Sequence, residues 1–154
     1  MDELHIKVPA AFDIDVLTSR SEFTSVTDLE STTASIKAQD GDIFVKNIKS
    51  GDIKLIANRG GISCKKLLQG NILINAASKI RTDRLQGPII ELKSDSDIHT
   101  QDVYAEEVTI TSKETVGIKS IHGKSKVFSE ESDVIIGTVE GESEVQAENG
   151  TANL

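Results

Sequence analysis

Three histidines, one cysteine and a recurring set of carboxylates are the side chains in this sequence that could do chemistry. His5, His99 and His122 are far apart along the chain, whereas a zinc site needs at least three converging ligands. We therefore expect surface or corner histidines, and neither a metal nor another cofactor. Cys64 follows Ile62 on the same face of an alternating run, which favours a buried hydrophobic side chain over a reactive thiol.

Four aspartates come directly after a Gly or Ser and directly before an Ile or Val: Asp42, Asp52, Asp97 and Asp133. Carboxylates stacked in this way could hold Ca²⁺. However, the nine-residue glycine–aspartate repeat of calcium-filled solenoids is absent. Because Asp accepts hydrogen bonds from nearby backbone amides, the pattern favours aspartates that cap chain corners.

Neighbouring carboxylates raise the alternative of a β-helix that binds or cleaves carbohydrate. The pairs are Asp95/Asp97, Glu106/Glu107 and Glu130/Glu131. A glycan-cleaving site needs an acid and a base at a fixed separation, and long loops that build a groove. The repeat spacing leaves no room for such loops, so we expect no enzyme and no small-molecule substrate. A glycan-binding surface normally presents Trp or Tyr, and this chain has no Trp and one Tyr.

The composition excludes further classes of function. A net charge of −8 with scattered Lys and Arg does not provide the basic face that nucleic acid requires. No apolar run has membrane-spanning length and no secretory signal precedes the repeat. We therefore expect no nucleic-acid partner and no membrane insertion. A soluble, intracellular protein is favoured, with an organelle presequence removed upstream of Met1 as an open alternative.

These side chains are positioned by a short repeat. An Ile or Val follows a Gly, Ser or acidic corner about every nine to ten residues from Ile43 to Val145. Each anchor starts an alternation such as Ile53-x-Leu55 or Ile72-x-Ile74, which indicates short strands with one buried face. Fixed repeats of this kind are typical of solenoids. The 154 residues are enough for one domain.

Two anchors make one coil, so the anchors fall into two stacked columns. The first column is predicted to contain Ile43, Ile62, Ile80, Ile98, Ile118 and Val134. The second is predicted to contain Ile53, Ile72, Ile89, Val108, Val127 and Val145. The predicted fold is all-β: a single-chain parallel β-solenoid (β-helix) with about 18–19 residues per coil. Residues 1–33 are predicted to form an N-terminal β cap, and residues 34–154 the continuous coils.

The second column also predicts a binding surface. The residues that follow its members should point outward, and they include Leu73, Ile90, Thr109 and Phe128. Stacked on successive rungs, these four residues would form an exposed apolar stripe, and such stripes mark partner or self-association sites. Two alternatives stay open: Ile89 and Ile90 exchange roles, or a loop or the N-terminal cap covers the stripe.

The sequence resembles a known family of solenoids. The residues that carry the resemblance are Val8-Pro9-x-x-Phe12-Asp13-Ile14-Asp15, Asp83-x-Leu85-Gln86-Gly87 and Ser120-Ile121-His122-Gly123. The family is an adhesin-like β-solenoid family of unknown function. Within it, the chain is most similar to the animal branch called "family with sequence similarity one-eight-five, member A". The resemblance implies a β-solenoid fold and brings no established activity, so it implies no catalytic residues.

Two hypotheses for function follow. The first is a non-catalytic, adhesin-like scaffold that binds a protein partner or forms a homo-oligomer. The alternative is a carbohydrate-binding or carbohydrate-active β-helix.

Overall fold

The fold was obtained as a computed structural model, in which residues 3–6 are described as backbone, and residues 13–20 and 22–154 in full. The described residues form strands and no helix. The strands are β1 (Glu3–Ile6), β2 (Ile14–Thr18), β3 (Phe23–Ala38), β4 (Asp42–Ala57), β5 (Ile62–Ala76), β6 (Ile80–Ser94), β7 (Ile98–Ser112), β8 (Val116–Ser129), β9 (Val134–Glu140), β10 (Ser143–Ala147) and β11 (Ala152–Asn153).

All strand pairs are parallel, and each long strand pairs with the next one in the sequence. Ile43 lies beside Ile62, and Ile62 lies beside Ile80, so a coil takes 18 or 19 residues. The result is a β-solenoid of about eight turns. The predicted fold class is therefore confirmed.

Each coil has three segments, which the burial pattern of β4 makes visible. Residues 43, 45, 48, 50, 53, 55 and 57 of this strand are buried. Buried residues are two positions apart within a segment. They are three positions apart between residues 45 and 48 and between residues 50 and 53, because two consecutive residues point outward where the chain turns a corner. The inward side chains of successive coils stack into one hydrophobic core.

The corners need unusual backbone angles. Asp28, Asn47 and Lys66 have φ values of 53°, 56° and 59° at the first corner. At the second corner Gly70 has a φ of 142°, and a Cβ there would lie 1.8 Å from the carbonyl oxygen of Ser50. Coils stack too closely at this corner for a side chain at residue 70, which explains the glycine.

A buried polar column holds the loops that join later coils. At the end of the third segment, one stacked position is occupied by Ala57 and Ala76 in earlier coils and by Ser94, Ser112 and Ser129 in later coils. Ser94 Oγ donates to the carbonyl of Ser78 at 2.6 Å, and Ser129 Oγ donates to that of Glu114 at 2.7 Å. Ser112 donates in the same way to Ser96. Each of these buried hydroxyls donates a hydrogen bond to a loop carbonyl, so none of the three donors is left without a partner.

The predicted columns are largely correct, with errors that arise at the corners. In the first column Val116, not Ile118, lies between Ile98 and Val134. In the second column Ile90, not Ile89, lies beside Ile72 and Val108.

The errors come from corners that differ in length by one residue. Four positions separate the inward residues Leu68 and Ile72, whereas five separate Leu85 and Ile90. The extra residue follows Pro88, which has no backbone N–H for the ladder. In β8 the corner is short again, so Ser125 takes the column position and Val127 moves to the next column, beside Ile110. Val145 follows Val127 into that column.

The predicted boundary between cap and coils falls inside β3. The first half of β3 pairs with β1 and the second half with β2, in the same parallel register as later coils. The described strands β1 and β2 thus stack on β3 as later coils stack on one another. Val8, Pro9 and Phe12 of the predicted cap motif lie outside the described residues.

The adjacent residues Ile89 and Ile90 provide a test of this register. Ile90 is fully buried, whereas the side chain of Ile89 is 53% exposed. We expect Ile90→Asp to unfold the protein, since a buried, unpaired carboxylate costs several kcal/mol. Ile89→Asp should change the free energy of unfolding by no more than about 0.5 kcal/mol. Urea denaturation followed by circular dichroism measures both, and the reverse order would contradict the register.

Candidate functional site

The third segments of eight consecutive coils form a sheet face, which we call the third face. Its rungs are residues 13–17, 33–37, 52–56, 71–75, 89–93, 107–111, 124–128 and 142–146. In each rung the second and fourth residues point inward. The first, third and fifth residues point outward, so the surface consists of three parallel ladders of side chains.

The ladders are defined by their members from the N-terminal to the C-terminal rung. The corner ladder is Asp13, Thr33, Asp52, Asn71, Ile89, Glu107, Lys124 and Glu142. The central ladder is Asp15, Ser35, Lys54, Leu73, Glu91, Thr109, Lys126 and Glu144. The loop ladder is Leu17, Lys37, Ile56, Asn75, Lys93, Thr111, Phe128 and Gln146.

The predicted stripe of Leu73, Ile90, Thr109 and Phe128 is corrected by this arrangement. Leu73 and Thr109 do share the central ladder, with Glu91 between them. Ile90 is buried in the core, because the longer corner after Pro88 turns it inward. Phe128 lies on the loop ladder beside Thr111. A continuous apolar stripe therefore does not exist.

Apolar side chains are nevertheless present on this face, as separate spots. Leu17 is 74% exposed and Ile89 is 53% exposed, while Ile56, Leu73 and Phe128 are partly exposed. Leu73 and Ile89 lie in a shallow groove between Lys54 and Glu91. The prediction from sequence missed Leu17, although it follows the inward Ile14 and Val16 in plain alternation.

The third face contains charges of both signs. Its ladders contain five lysines and seven carboxylates, Asp13, Asp15, Asp52, Glu91, Glu107, Glu142 and Glu144, so its net charge is −2, whereas the chain carries −8. Lys124 pairs with Glu142 at 3.7 Å. Among the described residues Lys54, Glu91, Asp15 and Lys126 make no ion pair within the chain, so their charges are available to a partner.

The corner aspartates bind the neighbouring coil. Asp42 Oδ1 accepts a hydrogen bond from the Gly61 amide at 2.7 Å, and Asp133 Oδ1 accepts one from the Thr151 amide at 2.8 Å. Asp52 Oδ1 accepts one from the side-chain amide of Asn71 at 3.2 Å. The prediction that aspartates bind backbone amides at the corners is therefore confirmed for Asp42 and Asp133, whereas Asp52 binds a side chain.

The ring of Tyr104 is enclosed by a stack on the second segment. It lies parallel to the His122 ring, with centroids 4.3 Å apart, and the Arg84 guanidinium lies 5.0 Å from the Tyr104 centroid. His122 Nδ1 in turn contacts Glu140 Oε2 at 2.9 Å. Because its neighbours occupy the ring, Tyr104 does not present an open platform for a sugar.

The histidines do not converge. His99 lies beside Gly117 on the first segment, whereas His122 lies beside Tyr104 on the second. Partial burial and the nearby Arg81 cation lower the pKa of His99. The side chain of His5 lies outside the described part of the chain. Within that part, no three His, Cys, Asp or Glu side chains are grouped as metal ligands.

Cys64 is buried in the column between Val45 and Thr82. Burial, reinforced by the nearby Asp83 carboxylate, raises the pKa of its thiol far above the usual range. The prediction of a buried hydrophobic side chain is confirmed.

Comparison with known proteins gave no match: neither a family model nor a curated protein nor a solved structure is similar to this chain. The described residues contain no helix long and apolar enough to cross a membrane.

The position of Cys64 predicts its reactivity. The thiolate is the reacting form of cysteine, so the native protein should react with Ellman's reagent at least about a hundredfold more slowly than the protein in denaturant. The matched control is Lys65→Cys in a Cys64→Ser background, since residue 65 is exposed. This control should react rapidly in the native state. Equal rates for the two cysteines would contradict the burial of Cys64.

Proposed function

We propose that the chain is a non-catalytic, adhesin-like scaffold that binds protein through the third face. The observation that carries this proposal is the chemistry of that face. It places exposed apolar side chains among charges of both signs, of which Asp15, Lys54, Glu91 and Lys126 make no ion pair within the described residues. Protein–protein interfaces combine apolar spots with a polar surround in this way.

The rigidity of the face adds support. Each of its eight rungs is hydrogen-bonded on one or both sides, and the inward Ile, Leu and Val side chains of the first seven rungs are buried. A partner would therefore bind a surface whose backbone is already ordered, which keeps the entropic cost of association low. The resemblance to the adhesin-like solenoid family is consistent with this function.

The alternative of a carbohydrate-binding or carbohydrate-active β-helix has less support. A glycan platform would use an exposed aromatic ring, and the ring of Tyr104 is occupied by Arg84 and His122. Phe128 is partly exposed but lies at the edge of the third face beside Thr111. The carboxylate of Asp95 is engaged by Lys113 at 3.4 Å, which is typical of a structural ion pair.

Site-specific cross-linking in cells of the source organism tests the proposal. A photoreactive amino acid at Thr109, which is exposed on the third face, should form a covalent adduct with protein. The matched control carries the same group at Lys119, which is exposed outside that face, and should form none. Adding Leu73→Glu to the Thr109 variant should abolish the adduct, because a charge then replaces the central apolar contact.

Two results would contradict the proposal. One is equal adduct formation at positions 109 and 119, which would mean random contact. The other is the absence of protein adducts together with binding of the purified chain to a glycan array, which would favour the carbohydrate alternative.

A further inference from the structure

The third face is complementary to itself, and we infer that it pairs with the third face of a second copy. This inference rests on the proposed function and names the partner. The argument depends on the order of charges along the central ladder. Over the first seven rungs, from Asp15 to Lys126, the order is negative, polar, positive, apolar, negative, polar, positive. Leu73 is the middle member of these seven rungs, which are the ones that pair. The eighth rung, which carries Glu142, Glu144 and Gln146, extends beyond the paired region.

Turning a copy over about the strand direction reverses the order of its rungs. If the axis passes through the Leu73 rung, Leu73 faces Leu73 of the second copy. Lys54 then faces Glu91, and Asp15 faces Lys126. Ser35 faces Thr109, so every pair in the central ladder is either oppositely charged, polar or apolar. This is the isologous geometry of a two-fold dimer.

The two flanking ladders follow the same symmetry. In the corner ladder Asp13 faces Lys124 of the second copy, and Asn71 faces itself. In the loop ladder the most exposed apolar residue of the face, Leu17, meets the partly exposed Phe128. No pair in the three ladders brings like charges together.

Two pairs place a charge against an isoleucine, and neither opposes the arrangement strongly. Lys93 faces Ile56, where the aliphatic part of the lysine can cover the isoleucine while its ammonium stays in water. Asp52 faces Ile89 at the corner, where both side chains are exposed.

The register is specific, because neighbouring positions of the axis bring like charges together. Moving it by one rung towards the C-terminus places Lys54 opposite Lys126. Moving it by one rung towards the N-terminus places Asp15 opposite Glu91. Opposed like charges act against the wrong register. Placing the axis along the solenoid would bring each charge of the central ladder opposite itself, which acts against that arrangement in the same way.

The size of the face sets the expected strength. Seven rungs about 4.8 Å apart and three ladders give a surface about 29 Å by 20 Å, or about 600 Å² per copy. Two such surfaces bury about 1,200 Å², the lower limit for a specific interface. We therefore expect a dimer with a Kd of the order of 10 µM rather than an obligate one.

Charge reversal at Lys54 and Glu91 tests the inference by sedimentation equilibrium of the full chain. The unmodified chain should dimerise. Lys54→Glu or Glu91→Lys should each weaken dimerisation at least about tenfold, because two like-charge pairs then form across the axis. The double variant Lys54→Glu/Glu91→Lys should dimerise as the unmodified chain does. An equimolar mixture of the two single variants should form a heterodimer.

Lys79→Glu is the control for Lys54→Glu, since it makes the same change in net charge at an exposed residue outside the third face. It should leave the Kd unchanged, and circular dichroism should show that every variant is folded. A chain that stays monomeric well above 100 µM would overturn the inference, as would a dimer that the single reversals leave intact. Neither result would affect the proposed function, because cross-linking at Thr109 detects any protein partner.

Discussion

Parallel pairing of each coil with the next, in register, is the interaction on which the rest of the structure depends. It places chemically similar residues above one another, so Ile43, Ile62, Ile80 and Ile98 form one continuous buried column. The backbone bonds fix the rung spacing, and the inward side chains fill the space within the coils. This pairing also sets the order of side chains along every outward ladder, including the ladders of the third face.

Shape constrains the buried columns more strictly than polarity does. Thr82 and Thr100 replace aliphatic residues in the column of Val45 and Ile118, and their hydroxyls have no hydrogen-bond partner in the described structure. Such a hydroxyl costs about 1–3 kcal/mol. The column tolerates it because threonine has nearly the shape of valine and fills the same space.

Periodicity predicted the fold well, because the alternation of Ile and Val directly reflects which side chains face the core. The same reasoning assigned Asp42 and Asp133 to corners. It failed where corners differ in length, since a single extra residue after Pro88 exchanges the roles of Ile89 and Ile90. That difference depends on backbone packing between coils at Gly70 and Gly87, which no pattern of apolar residues reports. The order of charges on the third face depends on this register and was therefore beyond sequence analysis.

The measurement that tests the register most directly is a methyl–methyl nuclear Overhauser spectrum of the protein with labelled Ile and Leu methyl groups. Contacts should connect Ile72 with Ile53 and Ile90, and Ile74 with Leu92, since these side chains stack on successive rungs. Ile89 should show no contact with the core methyl groups of Leu92 and Ile110. A strong contact between Ile89 and Ile110 or Leu92 of the core, with none between Ile72 and Ile90, would contradict the register and with it the order of charges on the third face.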